Sequence, residues 1–320
     1  MGWLTGWSYR KAVPLSRASG AVTDYQILLL LGESSGATGE AVDCGAKCKT
    51  DFSDIRFTKA DGTTLLKYWI EEITGTTPNQ LAKVWIKFDS IGTGATTFYM
   101  YYGKADASAV SNGVDTFIVF DDFERGSNGD AVGGDWTVSG GSLLISTEQK
   151  FGGTRSLKVV GGTSVSYGYI PVTPSQNIAI MMRLYKENTA YLIPFALGNG
   201  TCRGVIVFTT GEDVQYYNGS YVNTGYVGNA DLWQLLEIKN IDFTETSFDV
   251  YWNGNIAKIG TPMDISSSQT NQLRVYGDPN SSRDSWIDNV IVRNWRSVEP
   301  AWGAWGGEEE EAGGNFLVTM

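Results

Sequence analysis

The 320-residue sequence contains no histidine, and this absence limits the chemistry that its side chains can perform. Ser-His-Asp and Cys-His nucleophilic sites need an imidazole base, and the usual Cys/His zinc sets need an imidazole ligand. Glycoside hydrolysis needs only a pair of carboxylates, so it is the main enzymatic alternative. The closest approach to such a pair involves Glu237, Asp242, Glu245 and Asp249. Their spacing fits no paired-acid motif and they straddle a predicted turn, so we predict a non-catalytic protein.

Tyrosines are concentrated around one predicted hairpin in the second half of the sequence, centred on Asn218-Gly219. A flat aromatic ring can stack on a pyranose face, and a nearby amide can exchange hydrogen bonds with the sugar hydroxyls. The alternative is that half of these rings fill the core, because alternate residues of a strand face opposite sides. The candidate glycan contacts are Tyr216, Tyr217, Tyr221, Tyr226 and Asn218.

Strand-like segments separated by turn residues must position these side chains. In Lys83–Phe88, for example, alternation places Val84, Ile86 and Phe88 on one face. Pairs such as Asn253-Gly254 predict hairpins, because Asn, Asp and Gly tolerate positive φ. No long amphipathic helix is evident. We predict an all-β fold with two antiparallel β-sandwich (jelly-roll) domains in tandem, over residues 1–115 and 116–299, followed by an extended tail at 300–320.

The first predicted domain resembles the family called domain of unknown function 2341. The resemblance implies a β-sandwich found in large surface proteins of bacteria, archaea and viruses, often beside sugar-binding or adhesive modules. No activity is established for that family. The segments that carry the resemblance are Trp7–Arg10, Thr23–Gln26, Asp51–Phe57, Asp61–Thr64, Tyr68–Glu71, Ala82–Trp85 and Phe98–Gly103.

The second predicted domain resembles concanavalin-like lectins and glucanases of the laminin-G type, and carbohydrate-binding modules. The resemblance implies a jelly roll, and it leaves the ligand unassigned. The segments that carry it are Phe120–Glu124, Trp136, Gly152–Lys158, Trp233–Ile238, Phe248–Gly254 and Trp286–Val292.

This second resemblance also implies a structural Ca²⁺ site. Glu124, with Asp122 beside it, matches the acid on the first strand of carbohydrate-binding jelly rolls, and Asp288 matches the acid on the last strand. The two strands are neighbours in such folds, and Ca²⁺ prefers oxygen ligands. The alternative is that these acids cap turns and pair with Arg155 or Arg293.

Charge and hydropathy exclude two classes of partner. A net charge of −11 and an isoelectric point near 4.6 repel phosphate backbones, so we expect no nucleic-acid binding. The longest apolar run, Ile27–Leu31, is too short to cross a bilayer, so we expect no membrane insertion. Cys44 and Cys48 either close a small disulfide loop or remain free thiols; the sequence leaves both open.

The residues after Met1 show no leader-like stretch, although the resemblances point to a displayed protein. We therefore predict a virion component (capsid decoration, spike or tail fibre) with glycan binding. The alternatives are a cell-surface adhesin or carbohydrate-binding protein and, third, a secreted glycosidase. Within the tail, we expect Glu308–Glu311 to form a solvated spacer and Phe316, Leu317 and Val318 to contact a neighbouring copy or another surface protein.

Overall fold

The computed structural model describes residues 2–162, 166–173, 177–188, 190–198, 203–266, 271–277 and 283–311. The predicted all-β fold is confirmed, since strands dominate these ranges and their single helix, α1, spans only Gly113–Thr116. None of the helices in the described parts of the chain is long and apolar enough to span a membrane. The chain divides into two compact units, Met1–Phe117 together with the segment from Val298 onward, and Ile118–Ser297.

The strands are numbered in chain order. The strands before Phe117, in the first unit, are β1 (Tyr9–Ser16), β2 (Val22–Gly32), β3 (Val42–Asp43), β4 (Arg56–Thr58), β5 (Lys67–Thr74), β6 (Leu81–Ile91) and β7 (Thr96–Tyr102). Those of the second unit are β8 (Val119–Asp121), β9 (Thr137–Gly140), β10 (Leu143–Ser146), β11 (Ser156–Val159), β12 (Tyr167–Pro171), β13 (Ile178–Lys186), β14 (Leu192–Gly198), β15 (Arg203–Phe208), β16 (Asp213–Tyr217), β17 (Tyr221–Val227), β18 (Gln234–Asp242), β19 (Ser247–Trp252), β20 (Asn255–Pro262), β21 (Gln272–Tyr276) and β22 (Ser285–Asn294). The last two are β23 (Ala301–Trp302) and β24 (Glu308–Glu310).

The first unit contains two sheets. One has four strands in the order β3-β2-β6-β5, and the other has five, in the order β23-β1-β7-β4 with β24 also paired to β1. All of these pairings are antiparallel except the short β2–β3 contact. Alternation along β7 turns Phe98, Met100 and Tyr102 into the core of the unit. The intervening Tyr99 and Tyr101 face the opposite side, where they form a second cluster with Trp7.

The C-terminal segment is part of the first unit rather than a free tail. β23 and β24 pair with β1, with Leu15 opposite Trp302 and Arg10 opposite Glu309. The Trp302 indole Nε1 donates to the Leu28 carbonyl at 3.0 Å, and both Trp302 and Trp305 pack against the core. The two partly buried indoles and the pairing with β1 hold the segment within its own chain.

The glutamate run is also anchored, which corrects the expectation of a solvated spacer. Arg10 forms a 2.7 Å ion pair with Glu309, and Glu308 accepts a hydrogen bond from the Tyr102 hydroxyl at 2.7 Å and pairs with Lys47. Burial alone would raise the pKa of Glu308, but the bonds from Lys47 and Tyr102 outweigh burial and lower it. The predicted assembly residues Phe316, Leu317 and Val318 lie outside the described residues.

Cys44 and Cys48 are free thiols in the first unit. Cys44 is fully buried, and burial together with the hydrogen bond to Cys48 raises the pKa of its thiol well above the ordinary value. A buried thiol with a raised pKa is a poor nucleophile. Of the two alternatives that the sequence left open, the structure contains the unbridged pair.

The second unit is a sandwich of an eight-stranded and a seven-stranded sheet. The larger has the order β10-β11-β22-β13-β18-β19-β20, with β8 also paired to β22, and the smaller has the order β17-β16-β15-β14-β21-β12-β9. One continuous core lies between them and includes Phe195, Phe208, Phe248 and Trp252. The predicted turn at Asn253-Gly254 joins β19 to β20 with positive φ at both residues, 51° and 77°. A further Asn-Gly pair in the sequence, Asn199-Gly200, lies outside the described residues.

Candidate functional site

The outer face of the seven-stranded sheet is where the predicted tyrosines separate into two groups. Because alternate side chains of a strand face opposite sides, β16 turns Val214 and Tyr216 into the core and leaves Tyr217 outside. Tyr216 is only 8% exposed and packs within the core. Tyr217 packs instead on an outer apolar cluster that contains Val205 and Val207. Two adjacent tyrosines therefore have different environments.

A groove of about 350 Å³ lies on this outer face. Tyr217 and Tyr221 lie directly opposite each other in the β16–β17 hairpin. Their ring centroids are 5.0 Å apart with the planes inclined at 60°, and Tyr221 is 53% exposed. Tyr276 of β21 also borders the groove, so rings from two parts of the sheet are available to a ligand. The lining residues are Ile193, Ala196, Arg203, Val205, Tyr217, Tyr221 and Tyr276.

The β21 side of the groove is ordered by contacts among its own side chains. Tyr276 stacks on Tyr167 of β12, with ring centroids 5.3 Å apart and planes only 14° from parallel. Arg274 donates from Nε and Nη2 to the Gln272 Oε1 atom at 2.9 and 2.7 Å, and from Nη1 to the Tyr276 hydroxyl at 3.3 Å. These contacts hold the ring and the guanidinium group in place before any ligand binds.

Arg203 is the arginine among the lining residues of the groove. Its Nη2 atom donates to the Asp264 Oδ2 atom at 3.1 Å, and Asp264 is only 2% exposed. Burial alone would raise the pKa of Asp264, but hydrogen bonds from Ser266 and Arg203 outweigh burial and lower it, so the carboxylate stays ionised. The Arg203 Nε atom is buried without a partner among the described residues.

Three of the predicted glycan contacts lie elsewhere. Tyr216 is a core residue, as shown above. Tyr226 has the inward orientation on β17, where it packs against the core with its ring 6.5 Å from that of Trp252. Asn218 is exposed at the hairpin tip, where its backbone N–H donates to the Ser220 carbonyl, and it is not among the lining residues. The sequence therefore identified the hairpin correctly but not which of its side chains face the groove.

Sequence reasoning missed the contribution of β21 and β15. The segment Gln272–Tyr276 alternates so that Leu273 and Val275 enter the core while Gln272, Arg274 and Tyr276 face outward. That alternation was visible in the sequence. What the sequence lacked was the sheet order, which places β21 beside β14 and brings Tyr276 to the groove.

The acids proposed for calcium lie near one another, as the resemblance implied, because β8 pairs with β22. The Glu124 carboxylate accepts hydrogen bonds from the Thr154 amide and hydroxyl at 2.6 and 2.7 Å and from the Arg155 amide at 2.7 Å. Asp288 accepts from the backbone amides of Phe151 and Gly152 at 2.9 and 3.2 Å. Both carboxylates thus cap the 151–155 loop.

The pKa values of Asp288 and Asp122 are shifted by burial and by neighbouring charges. Burial raises the pKa of Asp288 to about 7 despite its backbone N–H donors, and burial together with the charges of Asp121 and Glu124 raises the pKa of Asp122. Within the described ranges, no three acidic or cysteine side chains are grouped as a metal site. The oxygens that would bind calcium already accept N–H donors, so these residues fit turn caps better than a calcium shell. Calcium binding stays a prediction.

Three of the four acids considered for glycoside hydrolysis have carboxylates in structural contacts, and none of the four lines the groove. Glu237 pairs with Lys239 at 3.0 Å. Asp242 caps the β18–β19 turn through the amides of Thr244 and Glu245. Asp249 accepts from the Gly260 amide at 2.8 Å and from the Asn240 amide group at 3.2 Å.

One family model matches part of the chain. The family model described as "Domain of unknown function (DUF2341)" matches residues 51–139, which confirms the predicted resemblance over that range. The matched range leaves out the resembling segments before Asp51 and extends beyond Phe117 into the second unit. No curated protein sequence matches the chain.

Solved structures similar to this chain include proteins that act on or bind carbohydrates. A sialidase aligns with a TM-score of 0.40 and 11% identity, over 62% of this chain but only 20% of the sialidase. A carbohydrate esterase from the Shiga toxin-encoding bacteriophage phi24B aligns with a TM-score of 0.37 and 14% identity, over 50% of this chain and 90% of the esterase. A carbohydrate-binding module of the β-sandwich superfamily aligns with a TM-score of 0.32 and 10% identity, over 86% of this chain and 98% of the module. At such low TM-scores, these likenesses support no conclusion about this chain.

Proposed function

We propose that this chain is a non-catalytic, surface-displayed protein that binds glycans in the groove on the outer face of the seven-stranded sheet. The observation that carries the proposal is the arrangement of Tyr217 and Tyr221 on one side of the groove and Tyr276 on the other, over a volume of about 350 Å³. Aromatic rings that are partly exposed and held by packing offer flat apolar surface to the faces of sugar rings. Nearby amide and guanidinium groups supply donors for sugar hydroxyls.

The position of the acids supports binding without hydrolysis. A glycosidase needs two carboxyl groups on opposite sides of the scissile bond, roughly 5–9.5 Å apart. Among the described residues that line the groove there is no carboxylate, and Asp264, which pairs with the lining residue Arg203, is buried. The geometry therefore suits recognition of a sugar surface, and it provides neither a general acid nor a nucleophile.

A glycan array with the full chain tests the proposal, followed by calorimetric titration of the strongest ligand. We expect binding by the unmodified protein and loss of binding in Tyr217→Ala. Glu237→Gln is the matched control, because Glu237 belongs to the other sheet and is the residue on which hydrolysis would depend. Release of reducing sugar from the bound glycan, abolished by Glu237→Gln, would overturn the non-catalytic assignment.

The finer assignment is display on a virion, as a capsid decoration, spike or tail-fibre protein that contacts copies of itself or other virion proteins. The virion assignment is supported by the family that the first unit resembles, since that family occurs in large surface proteins of bacteria, archaea and viruses. The alternative is a cell-surface adhesin. Mass spectrometry of purified virus particles and of cell-envelope fractions separates the two, since the virion assignment requires the chain in the particles.

Truncation after Glu311 tests whether Phe316, Leu317 and Val318 carry an assembly contact.

A further inference from the structure

The groove carries positive charge beside its tyrosines, in a chain whose net charge is −11. Arg203 is a lining residue, and Arg274 lies directly opposite the lining residue Ala196 in the β14–β21 pairing. From this arrangement we infer that the groove selects glycans that carry a carboxylate or a sulfate group, which the two arginines bind. The inference rests on the proposed function, because it assigns a ligand class to the same groove.

Arg274 is not itself a lining residue, but it reaches the edge of the groove at Tyr276, whose hydroxyl accepts from the Arg274 Nη1 atom at 3.3 Å. The hydrogen-bond partners of Arg274, the Gln272 amide oxygen and the Tyr276 hydroxyl, are neutral. They fix the guanidinium group without compensating its charge and leave further N–H donors unused. A planar guanidinium group binds carboxylate and sulfate-like anions through paired, charge-assisted hydrogen bonds. Arg274 is therefore oriented and charged before a ligand arrives.

Arg203 contributes a donor rather than a net charge. The buried Asp264 carboxylate compensates its charge through the 3.1 Å ion pair. Arg203 lines the groove, however, so guanidinium N–H groups beyond the one bonded to Asp264 can donate to an anionic oxygen of a ligand.

Asp213, an acidic residue on the same face, is too distant to cancel the charge of Arg274. Asp213 shares the outward orientation of Tyr217 on β16, but it lies four residues away, roughly 13 Å along the strand. β16 and β21 are separated by β15 and β14, which places Asp213 about 14 Å from β21 across the sheet. Both separations exceed the screening length of about 8 Å at physiological ionic strength. Asp213 therefore offsets the charge of Arg274 only weakly.

Calorimetric titration of the full chain with matched sugar pairs tests the inference. The carboxylate arm compares galacturonate oligomers with their methyl esters, and the sulfate arm compares sulfated lactose with lactose. We expect the anionic member of at least one pair to bind about tenfold more tightly or better. Arg274→Gln should remove that advantage, while affinity for the neutral member changes less than about twofold. The arm that responds identifies the anionic group.

Lys258→Gln is the matched control, because it makes the same charge change on β20 of the other sheet and should leave both affinities unchanged. An equal melting temperature for Arg274→Gln and the unmodified protein excludes misfolding as the cause. If the neutral members bind as tightly as the anionic ones and Tyr217→Ala abolishes both, the anionic selectivity is overturned and the proposed function stands. If no sugar of either arm or of the glycan array binds, both are overturned.

Discussion

Two outer sheet faces of this molecule carry the same residue types and differ in what covers them. In the first unit, the face that bears Tyr99 and Tyr101 is covered by the chain's own N-terminal residues. Arg10 lies 4.4 Å from the Trp3 ring and 4.2 Å from the Tyr99 ring, and Tyr101 is fully buried. In the second unit, the face that bears Tyr217, Tyr221 and Tyr276 has no such cover within the described residues, and Tyr221 is 53% exposed.

The difference shows that tyrosine and arginine on a strand do not by themselves indicate a binding site. Where the chain supplies the partner, as Glu309 does for Arg10, the cation and the rings stabilise the fold. Where the partners are neutral and the rings half-exposed, as around Arg274, the same groups remain available to a ligand. Substitutions on each of the two faces test this contrast.

Trp7→Ala should produce the largest change, because it removes the cover from the first face. Trp7 is 8% exposed, its indole Nε1 donates to the Asp54 carbonyl at 2.6 Å, and the Lys104 ammonium lies 4.5 Å from its ring. Loss of a buried Trp costs about 3–5 kcal/mol. We expect a loss of this size in the free energy of unfolding, measured by chemical denaturation. Tyr221→Ala, on the open face, is the control and should leave stability within about 0.5 kcal/mol.

Tyr217→Ala should have the converse effect, on binding rather than on stability. Removing a central aromatic contact of an interface typically costs about 2 kcal/mol of binding free energy, or roughly thirtyfold in affinity. Titration of the glycan identified by the array measures the change. Equal affinity in the variant and the unmodified protein would mean that the open face is not the binding surface.

Glu308→Gln should have a smaller, pH-dependent effect on the first unit. The pKa of Glu308 is lowered in the folded protein because the bonds from Lys47 and Tyr102 outweigh burial. A carboxyl group of this kind stabilises the fold above its unfolded pKa of about 4.3, and the contribution is lost as the pH falls through the lowered folded value. We expect Glu308→Gln to reduce the free energy of unfolding by about 1 kcal/mol at neutral pH.

As the pH falls below about 4, Glu308→Gln should lose less stability than the unmodified protein does. Chemical denaturation across a pH series measures this difference. Glu311→Gln is the control, because Glu311 is exposed and contacts the Ser8 carbonyl through its backbone amide. An identical pH profile in Glu308→Gln and the unmodified protein would show that the glutamate run is solvated after all.

Calcium should have the smallest effect. Because Glu124 and Asp288 accept backbone N–H donors of the 151–155 loop, the turn-cap geometry predicts that neither calcium nor a chelator changes the melting temperature. A rise with added calcium that is absent in Asp288→Asn would instead support the calcium site predicted from the sequence.

The fold was predictable from the sequence wherever alternation and turn residues were clear. The alternation of Lys83–Phe88 predicted a strand, and these residues lie within β6. The hairpin at Asn218-Gly219 was also correct, since short-range turn chemistry determines it. The pairing of β23 and β24 with β1 was missed, because nearly 300 residues separate the partners and glycine-rich segments carry no strand signal.

The candidate site was only half predictable for a related reason. Tyr217 and Tyr221 could be named because they adjoin one turn, but assigning Tyr216 and Tyr226 to the core required knowing which side of the sheet the core occupies. Arg203, Arg274 and Tyr276 come from strands whose adjacency is a property of the sheet order. Which charges are compensated depends on contacts such as Arg203 with Asp264, across 61 residues.

A crystal structure of the chain with its strongest-binding oligosaccharide directly tests whether the groove binds glycans without cleaving them. We expect an intact sugar chain in the groove, with a pyranose ring stacked on Tyr217 or Tyr221 and the next sugar reaching Tyr276. Sugar bound at any other surface, or cleaved in the crystal between two carboxylates, would contradict it.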